Sequence, residues 1–147
     1  MDASLRELYQ EVILDHSRHP RHFGVLENAT HKAEGFNPLC GDKVNVTLVL
    51  GADGRVSDIN FTGKGCAISQ ASASLMTEML AGRTLEEAQK LMDGFVHLVK
   101  GEEAPGLSAD DREYLDVMSG LSEFPMRVKC ATLAWHTFHN AVEEGAQ

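Results

Sequence analysis

The chain has 147 residues, 43% of them apolar, and a formal net charge of −9. That length supports a domain with a real core, and the apolar share excludes an intrinsically disordered chain. The acidic balance disfavours nucleic-acid binding, because a phosphate backbone demands a basic face, and aromatics at 6% provide no array of stacking rings.

The opening Met1-Asp2-Ala3-Ser4 has neither a basic n-region nor an apolar h-region, so no signal or transit peptide is expected. No apolar run approaches the roughly 20 residues that cross a bilayer. The expectation is a soluble cytoplasmic protein with no membrane partner. Three cysteines, an odd number in a reducing compartment, argue against a disulfide framework. Ligand, nucleophile or buried filler remain as their roles.

Ser4 and Glu7 fit a capping box, and Leu5, Leu8, Tyr9, Val12 and Ile13 then recur at helical spacing to about His16. Pro20 and Gly24 mark the following stretch as irregular. His16, His19 and His22 are spaced by three, like a metal cluster. Pro20 breaks any helix that would align them, so they read as a polar surface loop. An edge strand is expected around Lys32–Phe36. Pro38 and Gly41 then force a turn through Asn37-Pro38-Leu39-Cys40-Gly41-Asp42. Val44, Val46, Leu48 and Leu50 alternate with polar residues, and Asp53-Gly54 joins that strand to Arg55–Thr62 as a hairpin.

After Gly65-Cys66 the period changes. Ile68, Ala71, Ser72, Leu75 and Met79 share a helical face, and Gly82 stops the helix. Thr84 and Glu87 form a capping box for a helix reaching about Lys100. Gly101 to Phe124 reads as an acidic, turn-flanked segment with one short helix near Ala109–Met118. Pro125 precedes a last helix with Val128, Ala131, Trp135, Phe138 and Val142 as its stripe. The fold class expected is α+β: a three-stranded antiparallel sheet with helices packed on one side.

All three cysteines stand at or near the ends of elements. Cys40 lies two residues before Asp42, which puts both side chains on one side of an extended segment. Three thiolates and one carboxylate would fill the tetrahedral shell of zinc. No C-x-x-C pair fixes the geometry, and buried structural thiols answer the same pattern. Asp42 also reads as an ordinary turn residue. Gly41 and Gly65 beside two of the thiols allow close backbone approach, and a helix N-terminus favours thiolate at Cys66 and Cys130. Arg127 and Lys129 flank Cys130 where the helix dipole opposes cations. They are either a solvated pair or a positive rim facing thiolates or an anionic partner.

Three stretches together resemble the U-type iron–sulfur scaffold family, which includes IscU, SufU and the N-terminal domain of NifU. They are Asn37 to Asp42, Gly65-Cys66-Ala67-Ile68-Ser69 with Ala71 to Leu75, and Arg127 to Trp135. Leu8-Tyr9, Asp15-His16 and Pro20-Arg21 match as well. The chain looks closest to the SufU type. Lys129 stands where IscU-type chains carry histidine, and the 101–124 segment precedes the third cysteine. Phe124 to Lys129 replaces the Leu-Pro-Pro-Val-Lys segment that IscU offers its chaperone.

The resemblance implies one NifU-like N-terminal domain over residues 1–147, of SufE/NifU-like fold, with an inserted acidic segment at about 101–124. It implies a zinc-dependent sulfurtransferase whose partner is a PLP-dependent cysteine desulfurase of the SufS type. Cys40, Asp42, Cys66 and Cys130 would be the zinc ligands. Cys40 would accept the persulfide sulfur, Arg127 would position the partner or its persulfide, and Lys129 would add charge near the site. A downstream Suf-type scaffold or apo-protein would receive the sulfur. The alternatives are a scaffold carrying a transient 2Fe-2S cluster and a zinc-stabilised adaptor without chemistry.

Overall fold

A computed structural model describes residues 3–145. Helix α1 (Ala3–Arg18) leads through an irregular stretch into strands β1 (His31–Asn37), β2 (Asp42–Leu50) and β3 (Val56–Lys64). Helices α2 (Ala67–Leu80), α3 (Leu85–Val99) and α4 (Ala109–Leu115), a 3-10 helix (Asp116–Glu123) and helix α5 (Pro125–Glu144) complete the order. The strands form an antiparallel sheet in the order β1-β2-β3. The α+β expectation holds.

Alternation explains the sheet's two faces. Val44, Val46 and Leu48 of β2 and Val56, Ile59 and Phe61 of β3 are buried against α2 and α5, and α1 packs on α2 behind them. Each fully buried large side chain contributes about 1.5–3 kcal/mol. The small residues Ser69, Ala71, Ser72, Ala73 and Ser74 are all buried and let α2 approach closely. Trp135 of α5 stacks on Phe95 of α3 with ring centroids 4.5 Å apart, and its indole N–H donates to Ser72 Oγ at 3.1 Å. The free edge of β3 is closed by residues 22–24: Gly24 N–H donates to Phe61 O and Phe61 N–H to His22 O. No described helix is long and apolar enough to cross a membrane.

Four local expectations need correction. Ser4 lies inside α1, not ahead of it, so it does not cap that helix. His16 is not a loop residue: it sits in the last turn of α1, buried against α2, whereas His19 and His22 are exposed. The short helix near Ala109–Met118 stops at Leu115 and tightens into the 3-10 helix. Cys130 is not at a helix start: α5 begins at Pro125, so Cys130 lies beyond its first turn. By contrast, both hydrogen bonds of the Thr84–Glu87 capping box form.

Candidate metal centre

The β1–β2 hairpin builds the first half of the site. Asn37 pairs with Asp42 across it, so Pro38, Leu39, Cys40 and Gly41 form the whole turn. Gly41 takes a φ of +70°, a left-handed value that glycine adopts without steric cost. Asp42 has the same strand parity as Val44, Val46 and Leu48, and so its carboxylate is carried to the buried face, where it is 0% exposed.

The second half arrives from β3 and α2. Cys66 is the N-cap residue of α2, and its backbone N–H donates to Asp42 Oδ1 at 2.9 Å. Gly65 makes this approach possible, because a Cβ there would run into the Asp42 carboxylate. From the far end of the chain, α5 places Cys130 opposite the turn, with the Cys130 thiol donating to Met126 O at 3.5 Å, one helical turn back.

Of the four side chains expected at the metal, the structure groups Cys40, Asp42 and Cys130, and Cys66 reaches only Asp42, at 3.9 Å. Cys130 Sγ lies 3.2 Å from Cys40 Sγ, far beyond the ~2.05 Å of a disulfide, and all three thiols are free. Cys66 Sγ lies 3.9 Å from Asp42 Oδ2. Cys40, Asp42 and Cys130 each present one ligand atom within 4.8 Å of the others, while Cys66 stands at the margin of that group. Cys40 and Cys66 are partly open to solvent and Cys130 is buried.

The donor set fits a soft dication. Two ligands of a tetrahedral zinc, at ~2.3 Å for sulfur, stand about 3.8 Å apart. The Cys130 and Cys40 sulfurs, 3.2 Å apart, stand inside that edge, and the Cys66 sulfur, 3.9 Å from an Asp42 oxygen, stands slightly outside the roughly 3.6 Å of a sulfur–oxygen edge. Burial, then the neighbouring Cys40, Asp42 and Cys66, push the Cys130 thiol far above its ordinary range. A buried thiol in such company keeps its proton until a cation takes its place, which is how metal binding couples to proton release.

Arg127 and Lys129 project from the first turns of α5 and are exposed. Among the described residues neither forms an ion pair. Leu39, next to Cys40 in the chain, and Met126, whose carbonyl accepts the Cys130 thiol, are exposed apolar residues at the site. Asn37, at the head of the Cys40 turn, is 7% exposed and reaches the cluster with its amide nitrogen 3.9 Å from Cys130 Sγ. The signal for it was an amide at the last position of β1, three residues before Cys40. His16, His19 and His22 supply nothing to this site.

A family model described as the NifU-like N terminal domain matches residues 8–145. The chain belongs to that family. Among NifU-like relatives, the zinc-dependent sulfurtransferase SufU of Bacillus subtilis (strain 168) is 40% identical over 146 residues, 98% of this chain and 97% of that protein. The iron-sulfur cluster assembly scaffold protein IscU of Streptococcus pyogenes serotype M1 is 38% identical over 98% of this chain and 88% of its own length. The crystal structure of a putative iron-sulfur cluster assembly scaffold protein for the SUF system, from Fervidobacterium islandicum AW-1, superposes with a TM-score of 0.79. It is 34% identical and covers 97% of this chain and 100% of that one. The NifU-like fold thus accounts for the sheet, the helices behind it and the hairpin turn that carries Cys40.

Proposed function

We propose that this NifU-like chain is a zinc-dependent sulfurtransferase of cytoplasmic iron–sulfur cluster assembly. It takes sulfane sulfur from a PLP-dependent cysteine desulfurase of the SufS type. The observation that carries this reading is the asymmetry of the cluster: Cys40, on an exposed turn, is open to a partner while Cys130 beside it is buried. Cys40, Asp42, Cys66 and Cys130 would hold the zinc. When bound, zinc would keep these thiols deprotonated and damp their nucleophilicity.

The transfer itself is a thiol exchange. The Cys40 thiolate attacks the outer sulfur of the desulfurase persulfide. A new S–S bond forms at Cys40, the partner's S–S bond breaks, and the partner's cysteine leaves as thiolate. The electron count does not change, so no oxidant or reductant is required. Arg127 and Lys129, exposed and without an ion-pair partner among the described residues, offer positive charge next to the site for the anionic persulfide or its carrier. Exposed Leu39 and Met126 offer apolar contact around it. The sulfur then passes to a Suf-type scaffold or an apo-protein.

The scaffold reading draws on the relatives named as scaffolds and on the same donors, since three thiolates suit an iron–sulfur cluster as well. The hard oxygen of Asp42 would make such a cluster labile. A cluster that forms at this site and moves intact to an apo-acceptor would favour it.

The test combines metal analysis with labelled-sulfur transfer across the single cysteine variants. The expected result is about one zinc per chain, several-fold acceleration of the desulfurase, and label on Cys40. Cys40→Ala abolishes labelling, and Cys66→Ala and Cys130→Ala lose zinc. A Cys40→Ala chain that stimulates the desulfurase as well as the parent overturns the proposal.

A further inference from the structure

The side chain of Asn37 faces the metal centre without offering a ligand that zinc prefers. It is 7% exposed and makes two polar contacts. Its Oδ1 accepts the backbone N–H of Leu39 at 3.2 Å, an Asx turn inside the hairpin that presents Cys40. Its Nδ2 lies 3.9 Å from Cys130 Sγ, across 93 residues of chain. The amide's orientation is not arbitrary. The Leu39 N–H can only donate, so it claims the carbonyl oxygen, and the NH2 is left facing sulfur.

We infer that Asn37 is a positioning residue of the metal centre, bracing the Cys40 turn with one end of its amide and donating to the Cys130 sulfur with the other. An N–H aimed at a thiolate spreads its charge and holds its direction, and buried groups of this kind orient the ligands themselves. Asn37 is also the register partner of Asp42, so one residue ties together the turn, the carboxylate strand and the last helix. The inference rests on the zinc reading above, which is why the readouts include the parent chain.

Two variants separate the two contacts. In Asn37→Asp one carboxylate oxygen still accepts the Leu39 N–H, while the other faces the sulfur and cannot donate. In Asn37→Ser the hydroxyl can accept the Leu39 N–H but is too short to reach Cys130. The measurement is zinc transfer from purified protein to a chromogenic chelator of known affinity. Both variants are expected to bind zinc about 10–100-fold more weakly than the parent, the span seen when outer-shell partners of metal ligands are removed. Retention within twofold of the parent in a folded Asn37→Ser chain overturns the inference. A parent chain that holds no zinc overturns it together with the reading it rests on. A second measurement needs no variant. In the parent chain loaded with cadmium-113, the Asn37 side-chain amide protons are expected to show coupling to the metal through the sulfur. A resolved amide signal without coupling overturns the inference.

Discussion

At the scale of single residues, the site depends on places where a side chain is missing as much as on places where one is present. Gly65 has a φ of +152°, and a Cβ there would collide with Asp42. Gly65→Ala therefore combines backbone strain with displacement of a buried carboxylate, at a cost of about 1–3 kcal/mol from the strain alone. The expected outcome is a chain that still folds but melts several degrees lower and carries much less than the parent's zinc. Thermal melts and metal analysis on one preparation check both halves. Parental zinc content in a folded Gly65→Ala chain would show that Asp42 is not a ligand. The glycine was visible in the sequence as a neighbour of Cys66. That its missing side chain makes room for Asp42, 23 residues earlier, was not, because nothing local records which strand lies alongside.

At the scale of elements, α1 is held to α2 by a polar contact that periodicity could not reveal. His16 Nδ1 lies 2.8 Å from Ser74 Oγ, which also accepts the Arg21 backbone N–H at 2.9 Å. On the other side of the ring, Nε2 stands 3.8 Å from Glu78. Burial, then the nearby Arg21, hold the imidazole below its usual 6.5, although Glu78 and Asp15 pull the other way. The unfolded chain therefore binds this proton at a higher pH than the folded one. Stability from His16 is complete above about pH 6.5 and is lost as the pH falls toward the folded value. His16→Gln keeps a hydrogen-bonding group for Ser74 but cannot titrate. Its melting temperature is expected to fall less than the parent's between pH 7 and pH 5. Parallel curves for the two proteins would assign the acid sensitivity to another group. The three-residue spacing of His16, His19 and His22 carries no sign of this burial, because it depends on which face of α1 meets α2 and not on the neighbouring histidines.

At the scale of the whole molecule, the centre joins a hairpin turn, the start of α2 and the body of α5. A cation there cross-links segments that are 90 residues apart between Cys40 and Cys130. Binding only to the folded chain, at a free concentration about a thousandfold above its dissociation constant, adds about 4 kcal/mol. For a chain of this length that is on the order of 10 °C in melting temperature. Removing the metal with a chelator is expected to lower the midpoint by about that much, and adding zinc back to restore it. The single tryptophan, Trp135, is buried on the same helix as Cys130, five residues further along, so its fluorescence can follow the transition. A midpoint indifferent to chelation would remove the structural basis for a metal in this fold.

By itself the sequence determined what short-range patterns control. Alternation at Val44, Val46 and Leu48 defined a half-buried strand, Asp53-Gly54 a hairpin, Thr84 with Glu87 a helix start, and Pro38 with Gly41 the turn under Cys40. Each rests on a backbone preference or a side-chain contact within a few residues. The three cysteines and Asp42 were readable as candidates, but their meeting was not, since thiols in a core show the same spacing. Only the tertiary structure decided that α5 brings Cys130 to within 3.2 Å of Cys40 sulfur, that Asp42 faces inward, and that His16 and Asn37 are buried. Those outcomes depend on how the helices close over one face of the sheet, and the free energy of that closure is spread over the whole core.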